Sequence, residues 1–221
     1  DIGANIGNHA LEFSKFFSNI DAFEPNPHTF KLLQFNASFV KNIRTYNFGL
    51  GNCNETLTLS ENASNFGASS AIIDHNQNLD IKIEVKKLDD FDTKLSNIKL
   101  IKIDVEGMEL MVLEGAIKII DKHQPIIAFE QHASDFITDD NDTPCIKLLR
   151  KFGYIFCYSE TGENKRKFWL INRFNNILEL FTGKTINRKI ILQQSVPRRF
   201  HNLIIAIPTK YQKEISLLVK N

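Results

Sequence analysis

Short apolar runs alternate along the chain with longer stretches in which apolar positions recur every three or four residues, the pattern of strands followed by amphipathic helices. Asn8 to Phe17 reads as a first helix and Ile20 to Glu24 as a short strand; Pro25-Asn26-Pro27 then punctuates the chain before a helix from about His28 to Val40. Ile43 to Asn47 makes the next strand. Thr56 to Ser60 and Ile81 to Lys86 alternate apolar and polar residues around an Asn/Ser/Gly-rich stretch, Glu61 to Ser70, which predicts a polar hairpin or excursion at a sheet edge. Leu100 to Val105 is apolar except at Lys102 and Asp104, as in a buried parallel strand whose carboxyl end carries function. Gly107 to Lys122 carries Met108, Met111, Val112, Gly115 and Ile119 at helical spacing, an ordinary core face. Pro125 separates it from a strand over Ile126 to Glu130. Thr143 to Phe152 reads as a further helix, Tyr154 to Ser159 as a strand and Asn202 to Ile207 as the last strand.

This alternation predicts an α/β fold, a three-layer α/β/α sandwich around a mostly parallel sheet. With 221 residues, 43% hydrophobic and 24% charged, the chain is expected to form one globular domain over 1–221. A net charge of +1 gives no global attraction to nucleic acid or to an anionic membrane, so any charged partner must be met by a local patch, and no nucleic acid is expected. No apolar run reaches the roughly 18 residues that span a bilayer. Cys53, Cys145 and Cys157 match no zinc spacing, and a reducing cytoplasm is the expected setting. The chain opens on Asp1 and its only methionines are Met108 and Met111, so the native start is expected upstream, with most of the first strand missing.

The segment from Asp1 through Gly3, Asn5 and Gly7 would close a strand and turn tightly into a helix. Such a turn is expected to offer free N–H groups and a positive dipole end, which suit a carboxylate as well as a phosphate. It lacks the Lys-Ser/Thr ending of a P-loop and the full glycine fingerprint of dinucleotide enzymes. Glu24, ending the second strand, suits a ribose-binding carboxylate; Asn26 suits either a contact to an adenosine or a helix cap. Asp104 and Glu106 would share a strand face, and Glu106 and Glu109 a helical turn. First-turn acids commonly just complement a helix dipole, whereas Asp104 would be costly to bury unpaired. Glu130 and His132 end the strand expected beside Asp104, and the three are expected to converge, with His132 suited to act as a base near neutrality. The same acids suit Mg²⁺, but the metal-free reading is preferred.

Together DIGANIG, FEPNP, GASS and KIDVEGME stand in the order and rough spacing of the FkbM-type S-adenosylmethionine-dependent methyltransferases, which the chain resembles from Asp1 to Glu130. The resemblance implies a Rossmann-like methyltransferase sheet with the Asn202–Ile207 strand antiparallel beside the Tyr154 strand. It implies transfer of the sulfonium methyl group of S-adenosylmethionine to an oxygen, usually a hydroxyl of a sugar, glycolipid or natural product, so the partner is a small-molecule or glycan acceptor. The expected cofactor-binding residues are then Asp1, Gly3, Asn5, Gly7, Glu24, Asn26 and Asp104, and the catalytic ones His132, Asp104 and Glu130.

Two other classes stay open. A nicotinamide-dependent oxidoreductase is disfavoured by the incomplete glycine fingerprint and by the lack of a Tyr-x-x-x-Lys pair; the other is a non-catalytic binding module. Residues 160–200 set Lys165-Arg166-Lys167 and Arg198-Arg199 among aromatics such as Phe168 and Trp169, and read either as a substrate lid or as a solvated insertion.

Overall fold

The computed structural model describes residues 1–59, 81–91, 97–131, 135, 142–159, 190–193, 196–197 and 201–214. Its elements run α1 (Asn8–Phe13), β1 (Ile20–Phe23), α2 (Pro27–Ala37), β2 (Ile43–Tyr46), β3 (Gly49–Leu50), β4 (Glu55–Leu59), β5 (Ile81–Lys86) and β6 (Leu100–Lys102). They continue with α3 (Glu109–Glu114), α4 (Ile117–His123), β7 (Ile126–Gln131), α5 (Pro144–Lys151), β8 (Tyr154–Ser159), β9 (Ile190–Gln193) and β10 (His201–Pro208). The fold class is α/β, and the chain groups into two compact units, Asp1–Asn97 with Lys102–Lys122 and Ile98–Ile101 with His123–Asn221.

In the first unit β1 and β2 are parallel, with Ile20 opposite Ile43 and Phe23 opposite Tyr46. Ile2 makes parallel bridges to both Phe23 and Ile103. Its N–H donates to the Lys102 carbonyl at 2.9 Å, its own carbonyl accepts from the Asp104 N–H at 3.1 Å, and the Phe23 N–H donates to the Asp1 carbonyl at 2.9 Å. A single residue thus holds the central position that the first strand requires, and being apolar and buried it suits that place. The first helix stops at Phe13, not Phe17, because the following carbonyls are taken elsewhere. The Asn42 side-chain amide donates to the Ser14 and Phe17 carbonyls at 2.8 Å each, and the Ser14 hydroxyl bonds back to the Leu11 carbonyl at 2.7 Å.

The alternating segments pair antiparallel as β4 and β5, from Glu55 opposite Val85 to Leu59 opposite Ile81. They do not sit on the edge of a larger sheet: β3 joins parallel to β5, and the order β3-β5-β4 is a sheet of its own. The stretch Glu61 to Ser70 that would connect the hairpin lies outside the described residues. The helix expected over Gly107 to Lys122 is two helices. Gly115 lies so close to Gly51 that a Cβ would stand 1.9 Å from the Gly51 carbonyl oxygen, and Asp89 caps the restart by accepting from the Lys118 and Ile119 N–H groups at 3.0 and 3.1 Å.

A five-stranded sheet runs in the order β6-β7-β10-β8-β9. The last strand is antiparallel to β8, as expected, and equally to β7 on its other side. Ala128, Ile155, Cys157, Ile205 and Ile207 form one buried cluster on this sheet. Within the span 160–200, read as a lid or solvated insertion, Ile190–Gln193 is a strand paired antiparallel with β8; residues 160–189 lie outside the described part. Among the described residues no helix is long and apolar enough to cross a membrane.

Candidate cofactor site

The turn that leaves Ile2 has positive φ at Gly3 (70°), Asn5 (51°) and Gly7 (90°). Gly3 is required on two counts: its backbone is left-handed, and a Cβ would meet the Asp104 carbonyl oxygen at 1.9 Å. Gly7 is the N-cap of α1, where a Cβ would meet Leu33 Cδ1 at 2.7 Å. Asn5 is among the few side-chain-bearing residues that tolerate this conformation.

The turn does not offer its N–H groups freely, contrary to the sequence expectation. The Asn5 N–H donates to Glu24 Oε2 at 2.9 Å, the Ile6 N–H to Asn5 Oδ1 at 2.7 Å, and the Gly7 N–H to the Ala4 carbonyl at 2.9 Å. Partly buried backbone donors far from bulk water must be matched within the protein, and this turn matches them itself.

Glu24 follows β1 directly and is buried, at 8% exposure. Oε2 accepts from Asn5 and Oε1 accepts from the Asn26 N–H at 2.9 Å, so the carboxylate ties the turn to the chain beyond β1. Each carboxylate oxygen has two lone pairs, which leaves a second acceptor position on both. Burial raises the Glu24 pKa above its ordinary value, against the lowering effect of the two backbone donors and of the Lys102 charge. Asn26 is a helix cap: Oδ1 accepts from the His28 and Thr29 N–H groups at 2.9 and 3.3 Å. Two further amides hold this corner, Asn36 Nδ2 on the Ile6 carbonyl at 2.7 Å and Asn47 Nδ2 on the Glu24 carbonyl at 2.9 Å.

Lys102 was not among the residues the sequence singled out. It is 5% exposed, and its Nζ donates to the Gly3 carbonyl at 3.0 Å while lying 3.0 Å from Asp1 Oδ1 and 3.4 Å from Asp104 Oδ2. Asp1, whose side chain is fully buried, therefore sits beneath the turn in an ion pair, and the cost of placing Asp104 after two isoleucines is met by a cation. The signal was present in the sequence: a lysine inside an apolar strand, two positions before Asp104 and so on its face.

The three acids after β6 do not act as one group. The strand ends at Lys102, with Ile103 as a last bridge, so Asp104 and Glu106 do not share a strand face. Glu106 (φ 53°) and Gly107 (φ 102°) make a left-handed turn before the helix, and Glu106 is exposed. Glu109, in the first turn of α3, is buried and accepts from the Gly107 N–H at 3.2 Å, the ordinary role of an acid at a helix start. Glu130 is buried in β7 of the second unit; His132 lies outside the described residues, as does the GASS segment. Among the described residues no three His, Cys, Asp or Glu side chains are grouped as metal ligands.

Residues 1–156 match the family described as Methyltransferase FkbM domain, a span that includes the glycine turn, Glu24 and the Lys102–Asp104 pair. Methyltransferase 1 of Beauveria bassiana (strain ARSEF 2860) is 31% identical over 152 residues, which are 58% of this chain and 60% of that protein. The chain thus spans 60% of the length of the relative it matches. Among solved structures, the methyltransferase FkbM of Methylobacillus flagellatus KT is 23% identical with a TM-score of 0.41, covering 59% of this chain and 31% of that one. A precorrin-6y C5,15-methyltransferase of Geobacter metallireducens GS-15 is 14% identical with a TM-score of 0.43, covering 94% of this chain and 77% of that one. By the match over residues 1–156, the chain belongs to the FkbM methyltransferase domain family.

Proposed function

We propose that this chain is an S-adenosylmethionine-dependent methyltransferase acting on a hydroxyl oxygen of a small-molecule or glycan acceptor, in the cytoplasm. Family membership supports methyl transfer, and one observation carries the cofactor reading: Glu24, buried at the end of β1, has a backbone donor on each carboxylate oxygen and a second acceptor position remaining on each. Those two acceptor positions fit the two hydroxyl donors of a ribose. When bound, S-adenosylmethionine supplies a methyl carbon activated by its sulfonium and departs as a neutral thioether. Glu24 accepts the ribose hydroxyls, while Gly3, where a Cβ would meet the Asp104 carbonyl oxygen, and Gly7, where it would meet Leu33, keep the turn packed in the shape the cofactor meets. On residue chemistry, His132 takes the acceptor hydroxyl proton. The chain's own groups suffice for this without a metal ion. Incubation with methyl-labelled S-adenosylmethionine and a panel of hydroxyl-bearing acceptors tests the reading: label should appear as a methyl ether and survive a chelator, and label found only on nitrogen, carbon or a carboxylate overturns the hydroxyl assignment.

Two measurements address Glu24. Glu24→Ala should weaken S-adenosylmethionine binding by about 1.5–3 kcal/mol, the range for hydrogen bonds to a charged group. Parental affinity in a folded variant contradicts the ribose role. The parent should also show a pH dependence of affinity. Burial raises the Glu24 pKa in the free protein, and hydroxyl donors stabilise the ionised form, so binding expels a proton wherever the free carboxyl still holds one. Affinity should rise with pH through the raised pKa and level off above it. Calorimetry in buffers of different ionisation enthalpy measures the proton directly, and net proton uptake in that range contradicts the assignment.

A further inference from the structure

Resting on the cofactor reading above, we propose that Lys102 is a positioning residue: its ammonium fixes the Gly3 carbonyl and the Asp1 and Asp104 carboxylates, holding the glycine turn in its binding shape before any ligand arrives. Lys102 Nζ donates to the Gly3 carbonyl at 3.0 Å and stands as the cation between Asp1 Oδ1 at 3.0 Å and Asp104 Oδ2 at 3.4 Å, so its compact head faces oxygens of three residues. Two of these belong to the segment entering the turn and the third to the segment leaving β6, so one side chain couples both.

A second contact couples the same two segments independently. The Gly3 backbone is pressed onto the Asp104 carbonyl, with space for no side chain between them. The turn is then held at its next positions too, with Glu24 on the Asn5 N–H and Asn36 on the Ile6 carbonyl. Gly3, Asn5 and Ile6 are thus each tied to a different side chain, and the Lys102 tie is the only one of the three made by a cation. A site held by such ties loses less conformational freedom when its ligand binds, and that is the source of affinity proposed here. The fixed Gly3 carbonyl and the two carboxylates that share the Lys102 cation set where the next backbone atoms stand against the cofactor.

Three readouts test this on the whole chain, with S-adenosylhomocysteine as the probe. Hydrogen exchange on the ligand-free parent should find the Asn5, Ile6 and Gly7 amides already protected, with little further slowing on adding the probe; free exchange that slows only when the probe binds overturns a turn preformed in advance. Lys102→Arg keeps the charge but replaces a compact head with a planar fork, so its melting temperature should recover most of what Lys102→Met loses, while the probe binds at least about 10-fold weaker than to the parent. If affinity returns to the parental value together with the melting temperature, Lys102 is only structural and the inference falls. Lys102→Met, where it folds, should also bind at least about 10-fold weaker, and parental affinity there overturns the inference likewise. A parent that does not bind the probe at all overturns the cofactor reading itself, which separates the two failures.

Discussion

Lys102→Met should lower the stability of the chain by about 3–5 kcal/mol, the cost of breaking a buried ion pair from one side. The methionine fills much the same volume, so the loss comes from charge. The fully buried Asp1 carboxylate and the mostly buried Asp104 carboxylate lose their shared cation, and the Gly3 carbonyl loses a donor. Removing the charges from both sides should undo most of this: Lys102→Met combined with Asp1→Asn and Asp104→Asn should stand well above the single variant, because an uncharged buried cluster has no unpaired ion to accommodate. Urea denaturation of the two proteins measures the difference. A single variant within about 1 kcal/mol of the parent would mean that Lys102 is not the cation on which this corner depends.

Gly3→Ala should be the other large loss, about 2–5 kcal/mol, from two sources that add. A left-handed backbone costs an alanine about 1–2 kcal/mol, and the overpacked contact adds about 1–3 kcal/mol. The contact is severe, since the new methyl carbon would stand 1.9 Å from a backbone oxygen, and neither segment can rotate away as a side chain would. Gly107→Ala separates the two sources. Gly107 also has a positive φ, of 102°, but a Cβ there meets nothing within 4 Å, so only the backbone cost applies. Equal losses at Gly3 and Gly107 would contradict the close approach of the turn to Asp104.

Much of the local structure was legible because it is set by residues near in sequence. The strand ending at Glu24, the Pro-Asn-Pro punctuation and the start of α2 follow from a capping asparagine and a proline at the first helical position, both visible without a fold. The antiparallel last strand was likewise readable, as was the place of Glu24 at the end of its strand, though not its burial. What stayed hidden depends on partners distant in sequence. The Lys102 contact to Gly3 joins residues ninety-nine apart, and Gly115, where the helix breaks, is pressed against Gly51. The donors of the glycine turn illustrate the same limit. Sequence shows that a small-residue turn exposes N–H groups in principle, but only the fold shows Glu24 and Asn5 side chains already occupying those of Asn5 and Ile6. The strand Ile190–Gln193 was missed for another reason, since a four-residue apolar-to-polar stretch inside a charged segment has no periodicity to read.

The account turns on an adenosyl cofactor held at Glu24, and isothermal titration of the chain with S-adenosylmethionine and, separately, with NAD tests it most directly. S-adenosylmethionine should bind at one site with an affinity that Glu24→Ala reduces, and NAD should not bind. Tight binding of NAD with no heat from S-adenosylmethionine would contradict the account.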